Sequence, residues 1–188
     1  MPHSRPDRRR ERSRQALLDA FIVLVLSKPY EEITPQMIAR SAGLARSTLY
    51  AHFSGKAAIL AASLAGPLSI LADTVGPEDN GPRLTALLEH FWMHRSRART
   101  TIAGGLRHRA VALLAQLILK RLRSYPARTA TGLPAKLAAI QLAEALFAPV
   151  VAWLQGEAKC ETGELARALR RCAVALTRPR PELALTDS

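Results

Sequence analysis

The sequence predicts an all-α fold, and three observations lead there. Ala, Leu and Arg dominate from end to end, β-branched runs are scarce outside Ile22 to Val25, and apolar residues recur at helical spacing. At 188 residues the chain allows one compact unit or two small ones, and two are expected. Hydrophobic residues make up 48% of it and charged residues 22%, enough apolar surface for a core and too much for a disordered chain.

The first helix is expected over Arg14 to Leu26, where Leu17, Phe21 and Leu24 form an apolar stripe behind a basic leading turn. Pro29 and the polar run Tyr30-Glu31-Glu32 stop it. Thr34-Pro35 then restarts the chain, Thr as the N-cap oxygen and Pro at the first helical position, where its missing N–H costs nothing. This second helix is short and ends near Ala42. Gly43 turns the chain, because glycine enters left-handed backbone geometry without penalty, and a third short helix runs from Ala45 to about His52. A fourth starts after Ser54-Gly55 and fades before Gly66-Pro67 or soon after. Loops are expected at Gly76 to Pro82 and Ala130 to Pro134. Longer helices cover Arg83 to Ala103, Leu106 to Tyr125, Pro134 to Gln155 and Thr162 to Thr177, with a Pro-rich, frayed tail from Arg178.

Lys and Arg number 27 against 15 Asp and Glu, a formal net charge of +12, which makes polyanions the first partners to consider. Nucleic acid leads and an acidic membrane surface follows. Several other classes fall away. The two cysteines, Cys160 and Cys172, stand in no metal-ligand pattern and read as thiols of a reducing compartment. No metal or cofactor is expected. The basic run before Phe21 to Leu26 resembles a signal peptide in outline, but Asp7, Glu11 and Asp19 interrupt its flanks and Ser27-Lys28-Pro29-Tyr30-Glu31 follows where a cleavage site should stand. The longest uncharged stretch, Ala57 to Ala72, is short and contains Gly66-Pro67, so no membrane span is expected and the chain is assigned to the cytoplasm. No zinc-protease, nucleophile-elbow or phosphate-loop motif occurs, and the five histidines are scattered, so no catalytic residue is proposed.

The residues that carry chemistry lie between Thr34 and Lys56. Two short helices joined through Ala42-Gly43-Leu44 make a helix-turn-helix, with small Ala39 and Ala42 permitting a close crossing. On a wheel of about 100° per residue, Ala45, Leu49 and His52 fall on the inner side. Arg46, Ser47, Tyr50 and Ala51 fall on the outer side, with Thr48 on the flank. A guanidinium, hydroxyls, a phenol and a methyl suit the edges and phosphates of a DNA groove. His52 is either a packed aromatic or a contact.

The run from Ile38 to Lys56, with Ala42-Gly43-Leu44, Leu49-Tyr50-Ala51-His52-Phe53 and then Lys56, resembles the TetR family of transcriptional regulators. The resemblance covers about the first third of the chain. It implies that Thr34, Tyr50 and Lys56 contact phosphates of a double-stranded operator while Arg46, Ser47, Thr48 and Ala51 face bases. His52 is included in this DNA-binding set. The family often carries Ser or Thr where this chain has Ala45, which removes a side-chain cap. The implied organisation is a DNA-binding domain over residues 1–56 and a helical effector-binding and dimerisation domain over 57–188. The implied function is a homodimeric repressor released from a palindromic operator by a small molecule. Arg5, Arg8, Arg9, Arg10, Arg12 and Arg14 read as a disordered arm, which either follows the DNA or only solubilises the chain.

In the later part, Leu142, Leu146, Val150 and Trp153, and then Leu165, Leu169, Cys172 and Leu176, form two stripes that serve either a dimer interface or an intrachain core. Candidate pocket residues are Phe91, Trp92, Met93, His94, Phe147 and Trp153. No acidic residue lies between His90 and Ala143 while arginines abound, which reads as an anionic effector or as a basic exterior.

Overall fold

The structure, a computed structural model, describes residues 5–99, 106–124 and 132–177, and every regular element among them is helical. Residues up to Gly66 together with Leu106 form one compact unit, and a second runs from Pro67 onward.

In the first unit, α1 (Arg5–Ser27) begins well before Arg14. The basic run expected to be disordered is therefore helix. Arg and Glu are good helix formers, Asp7 sits favourably in the first turn, and Glu11 pairs with Arg14 at 3.4 Å. A turn of 3₁₀ helix, Tyr30–Glu32, precedes α2 (Pro35–Ser41), α3 (Arg46–His52) and the start of α4 (Lys56–Ala72). Leu17, Phe21, Ile33, Ile38, Leu49 and Ile59 are each at most 1% exposed and form the centre of this core. Tyr30, read from sequence as a polar stop, belongs to it: the residue is 4% exposed and its ring meets Phe21 edge-on at 6.3 Å.

α4 runs through Pro67 and ends at Ala72, so its end falls after the Gly66-Pro67 pair and not before it. A mid-helix proline costs about 3 kcal/mol. Here Ile59 and Leu60 anchor one half of the helix, and Leu68 and Leu71 anchor the other. By length and composition alone, Lys56–Val75 and Ala135–Gln155 are each apolar enough to cross a membrane, contrary to the expectation from the uncharged stretch Ala57 to Ala72. Their apolar side chains have a role in the cores: 33% and 56% of the two windows are buried.

The second unit contains the end of α4, α5 (Gly81–Met93), α6 (Arg95–Ala98), α7 (Arg107–Ser124), α8 (Ala135–Gln155) and α9 (Thr162–Thr177). The helix expected to run unbroken from Arg83 is interrupted at His94, whose ψ of 29° leaves the helical range. No glycine or proline marks that point. Its expected end at Ala103, like Tyr125, Ala130 and the tail from Arg178, lies outside the described residues. α7 packs along α8, and α9 against α5 and α8, over a core that includes Leu84, Leu88, Leu114, Ile118 and Leu146, each fully buried. Asp73 ties the unit together by accepting two bonds from Arg121, at 2.6 and 3.0 Å, with Arg83 at 3.5 Å.

The two late stripes lie mostly inside this core. Leu142, Leu146, Val150, Trp153, Leu165 and Leu169 are buried, while Cys172 and Leu176 are half-buried. The six buried ones are intrachain packing, where α8 meets α7 and α9. What α8 leaves outside is a different set, Leu137 at 51% and Ile140 at 44% exposed.

Candidate nucleic-acid interface

The local sequence builds the helix-turn-helix step by step. Thr34 adopts extended geometry, and its Oγ1 accepts the Met37 N–H at 3.2 Å, so α2 begins with a side-chain cap followed by Pro35. The Thr34 hydroxyl hydrogen is left to donate elsewhere. Gly43, at φ 66°, takes the left-handed turn, and the Leu44 N–H bonds back to the Ala39 carbonyl at 2.9 Å. Ala39 is buried and Ala42 half-buried, as small residues at a close helix crossing are. Ala45 caps α3 with no side-chain bond. It lies outside the helix and is exposed, which corrects its place on the inner side of the wheel.

Within α3 the only buried residue is Leu49. Arg46, Ser47, Tyr50 and Ala51 are exposed together, Thr48 is intermediate on the flank, and His52 is half-buried with its ring 6.3 Å from Phe53. Arg46 lies over the Tyr50 ring at 5.4 Å, and its Nη2 donates to the phenolic oxygen at 3.4 Å. The pairing limits the wandering of both long side chains and leaves the phenol O–H free to donate. A further guanidinium, Arg14 on α1, sits 5.7 Å from the Phe53 ring.

Lys56 is placed differently from the others. Its ammonium donates to the carbonyls of Tyr30 at 2.8 Å and Glu31 at 3.0 Å, and it stands 4.5 Å over the Tyr30 ring. Two of its three donors therefore brace the first turn of α4 against the 3₁₀ turn, leaving one for an outside acceptor. Sequence reasoning missed this brace, since its partners are 25 and 26 residues away.

Residues 17–63 match the family model described as bacterial regulatory proteins, tetR family, a span that holds α2, α3 and the buried stripe of α1. That segment is similar to the DNA-binding domain of TetR-family regulators. With that domain goes DNA-binding transcriptional regulation. Among solved structures, the chain is similar to a TetR transcriptional regulator from Streptococcus agalactiae, with 19% identity, 89% of this chain and 97% of that one covered, and a TM-score of 0.59. It is also similar to NalD of Pseudomonas aeruginosa, the secondary repressor of a multidrug efflux pump there, with 20% identity, coverage of 90% and 98%, and a TM-score of 0.53. These likenesses concern the fold. No curated protein sequence matches the chain.

In the second unit, the six pocket candidates separate. Phe91 and Phe147 are buried core residues. Trp92 stacks on Trp153 with ring centres 4.8 Å apart and planes 27° from parallel. Both tryptophans and Met93 line a cleft of about 390 Å³, together with Glu89, Cys160 and Glu161. His94 lines a separate groove of about 630 Å³ with Trp92, Met93 and Arg95. Neither Phe91 nor Phe147 lines either one. Among the described residues, no three His, Cys, Asp or Glu side chains gather where a metal ion could be held.

Proposed function

We propose that this protein is a homodimeric repressor of the cytoplasm that reads a palindromic operator and leaves it when a small molecule binds. It is a regulator and not an enzyme. The observation that carries the reading is the outer face of α3, where Arg46, Ser47, Tyr50 and Ala51 stand exposed around a helix anchored through Leu49. The Arg46 guanidinium matches a guanine edge and the Ala51 methyl a thymine methyl, while Ser47 and Thr48 take bases or phosphates. Thr34 and Tyr50 donate hydroxyl hydrogens to phosphates, Lys56 offers its remaining N–H, and His52 supports the end of the helix. The helical start of α1, with Arg8, Arg9, Arg10 and Arg12 exposed, lies along the phosphate backbone and adds salt-sensitive affinity.

The dimer reading rests on geometry of recognition. One seven-residue helix spans too few base pairs for useful specificity, whereas two copies related by a twofold axis read both halves of a palindrome. The exposed Leu137 and Ile140 of α8 are the apolar side chains offered to the second copy. In functional terms residues 1–56 bind DNA, and 57–188 bind the effector and the partner. An effector releases the operator only if it binds one spacing of the two DNA-binding ends more tightly than another.

Selection of bound duplexes from a random pool tests the proposal. Enrichment of a sequence with two inverted half-sites about one helical turn apart is the expected result. Tight, salt-sensitive binding with no enriched sequence contradicts it and leaves a nonspecific polyanion binder.

A further inference from the structure

We propose that the cleft between the end of α5 and the segment following α8 is a binding site for a flat aromatic cation. Three observations point to this ligand class. The first is an aromatic platform: Trp92, 41% exposed, lies on Trp153, which is 4% exposed and fixed by donation of its Nε1–H to the Cys160 carbonyl at 2.9 Å. Met93, at 72% exposed, extends the apolar surface with a polarizable, adaptable side chain. An exposed patch of this kind, rimmed by polar groups, marks a place of contact.

The second observation is charge. The chain carries a net +12 and only 15 acidic residues, yet two exposed carboxylates, Glu89 and Glu161, line this one cleft. A third carboxylate, Glu164, reaches to 3.9 Å from the Cys160 sulfur. The local balance is thus opposite to that of the protein as a whole. An anion meets those carboxylates unfavourably, and a neutral ring gains only apolar burial. A cationic ring gains both the burial and the attraction of the carboxylates and of the tryptophan faces.

The third observation is a cation already in place next door. The Arg95 guanidinium lies 5.1 Å over Trp92 and lines the neighbouring groove, not this cleft. The same indole therefore already accepts one positive group, and the carboxylate side remains open. At about 390 Å³ the space suits two or three fused rings. The stretch without carboxylates between His90 and Ala143 reads as an anionic effector or as a basic exterior, and the lining of this cleft favours a ligand of the opposite sign.

The regulatory meaning of the site rests on the effector reading above, but the binding itself does not. N-methylacridinium, acridine and acridine-9-carboxylate share one ring system and differ in charge, and the only two tryptophans of the chain both belong to this site. Quenching of intrinsic fluorescence in the intact protein, without DNA, therefore reports its occupancy. The expected result is saturable quenching by N-methylacridinium, with weaker binding of acridine and weakest of the carboxylate. In the double variant Glu89→Gln, Glu161→Gln, both exposed sites that leave the fold intact, the cation binds about fivefold more weakly while acridine is unchanged. An unchanged thermal midpoint verifies that this variant folds. Equal affinity for the three compounds, or a cation affinity indifferent to the double substitution, overturns the proposal. Cation binding with no effect on operator affinity leaves the site standing and removes its role as effector pocket.

Discussion

α3 and α8 use their side chains in opposite ways. The seven residues of α3 bury Leu49 alone and present a guanidinium, hydroxyls and a phenol to the outside. The 21 residues of α8 bury ten, from Ala138 to Leu154. One helix exists for its outer face and is held by a single anchor together with its neighbours. The other exists for its inner face. A substitution should therefore be felt in α8 as lost stability, and on the outer face of α3 as lost recognition with stability untouched.

Phe147→Ala carries the largest expected effect. Its ring is 2% exposed on α8, and truncation should cost about 3–5 kcal/mol in chemical denaturation. The salt dependence of DNA binding should be unchanged in whatever fraction remains folded. Tyr50→Ala is the counterpart on α3. With Tyr50 46% exposed, denaturation should shift by less than about 0.5 kcal/mol. Operator affinity measured by fluorescence anisotropy should fall about tenfold, as loss of a good contact implies. A large loss of stability in Tyr50→Ala would break the comparison.

Lys56→Met sharpens it, because Lys56 faces inward as a brace and has one donor left for DNA. The loss of two charge-assisted bonds should lower stability by about 1–3 kcal/mol. The slope of log affinity against log salt should change by no more than about one phosphate contact. Unchanged stability with a full unit of lost slope would mean that the brace is absent in solution. Smallest is Thr34→Ala, which should cost about 1 kcal/mol through the lost cap of α2, with Thr34→Ser restoring most of it.

What was legible in the sequence followed from short-range physics. Thr34-Pro35, Gly43 and the spacing around Leu49 act within a turn or two, so the cap, the left-handed turn and the outer face of α3 all appear where local chemistry places them. Features set by distant parts of the chain did not appear. The Lys56 brace joins positions 25 and 26 residues apart, and the Trp92–Trp153 stack joins helices well separated in sequence. Pro67 inside α4 defeated the local rule because packing on both sides of it outweighs its cost. The Arg run of α1 departs from expectation for the reverse reason: local helix propensity prevails over the density of charge.

Whether the outer face of α3 reads bases is decided by comparing the sequences selected by the wild-type protein and by Arg46→Ala. The expected result is the same palindrome with one symmetry-related base position relaxed in the variant, because a guanidinium that pairs with a guanine edge carries sequence information. An identical selected sequence with affinity lowered uniformly would place Arg46 on phosphate and contradict the assignment of α3 as the reading face.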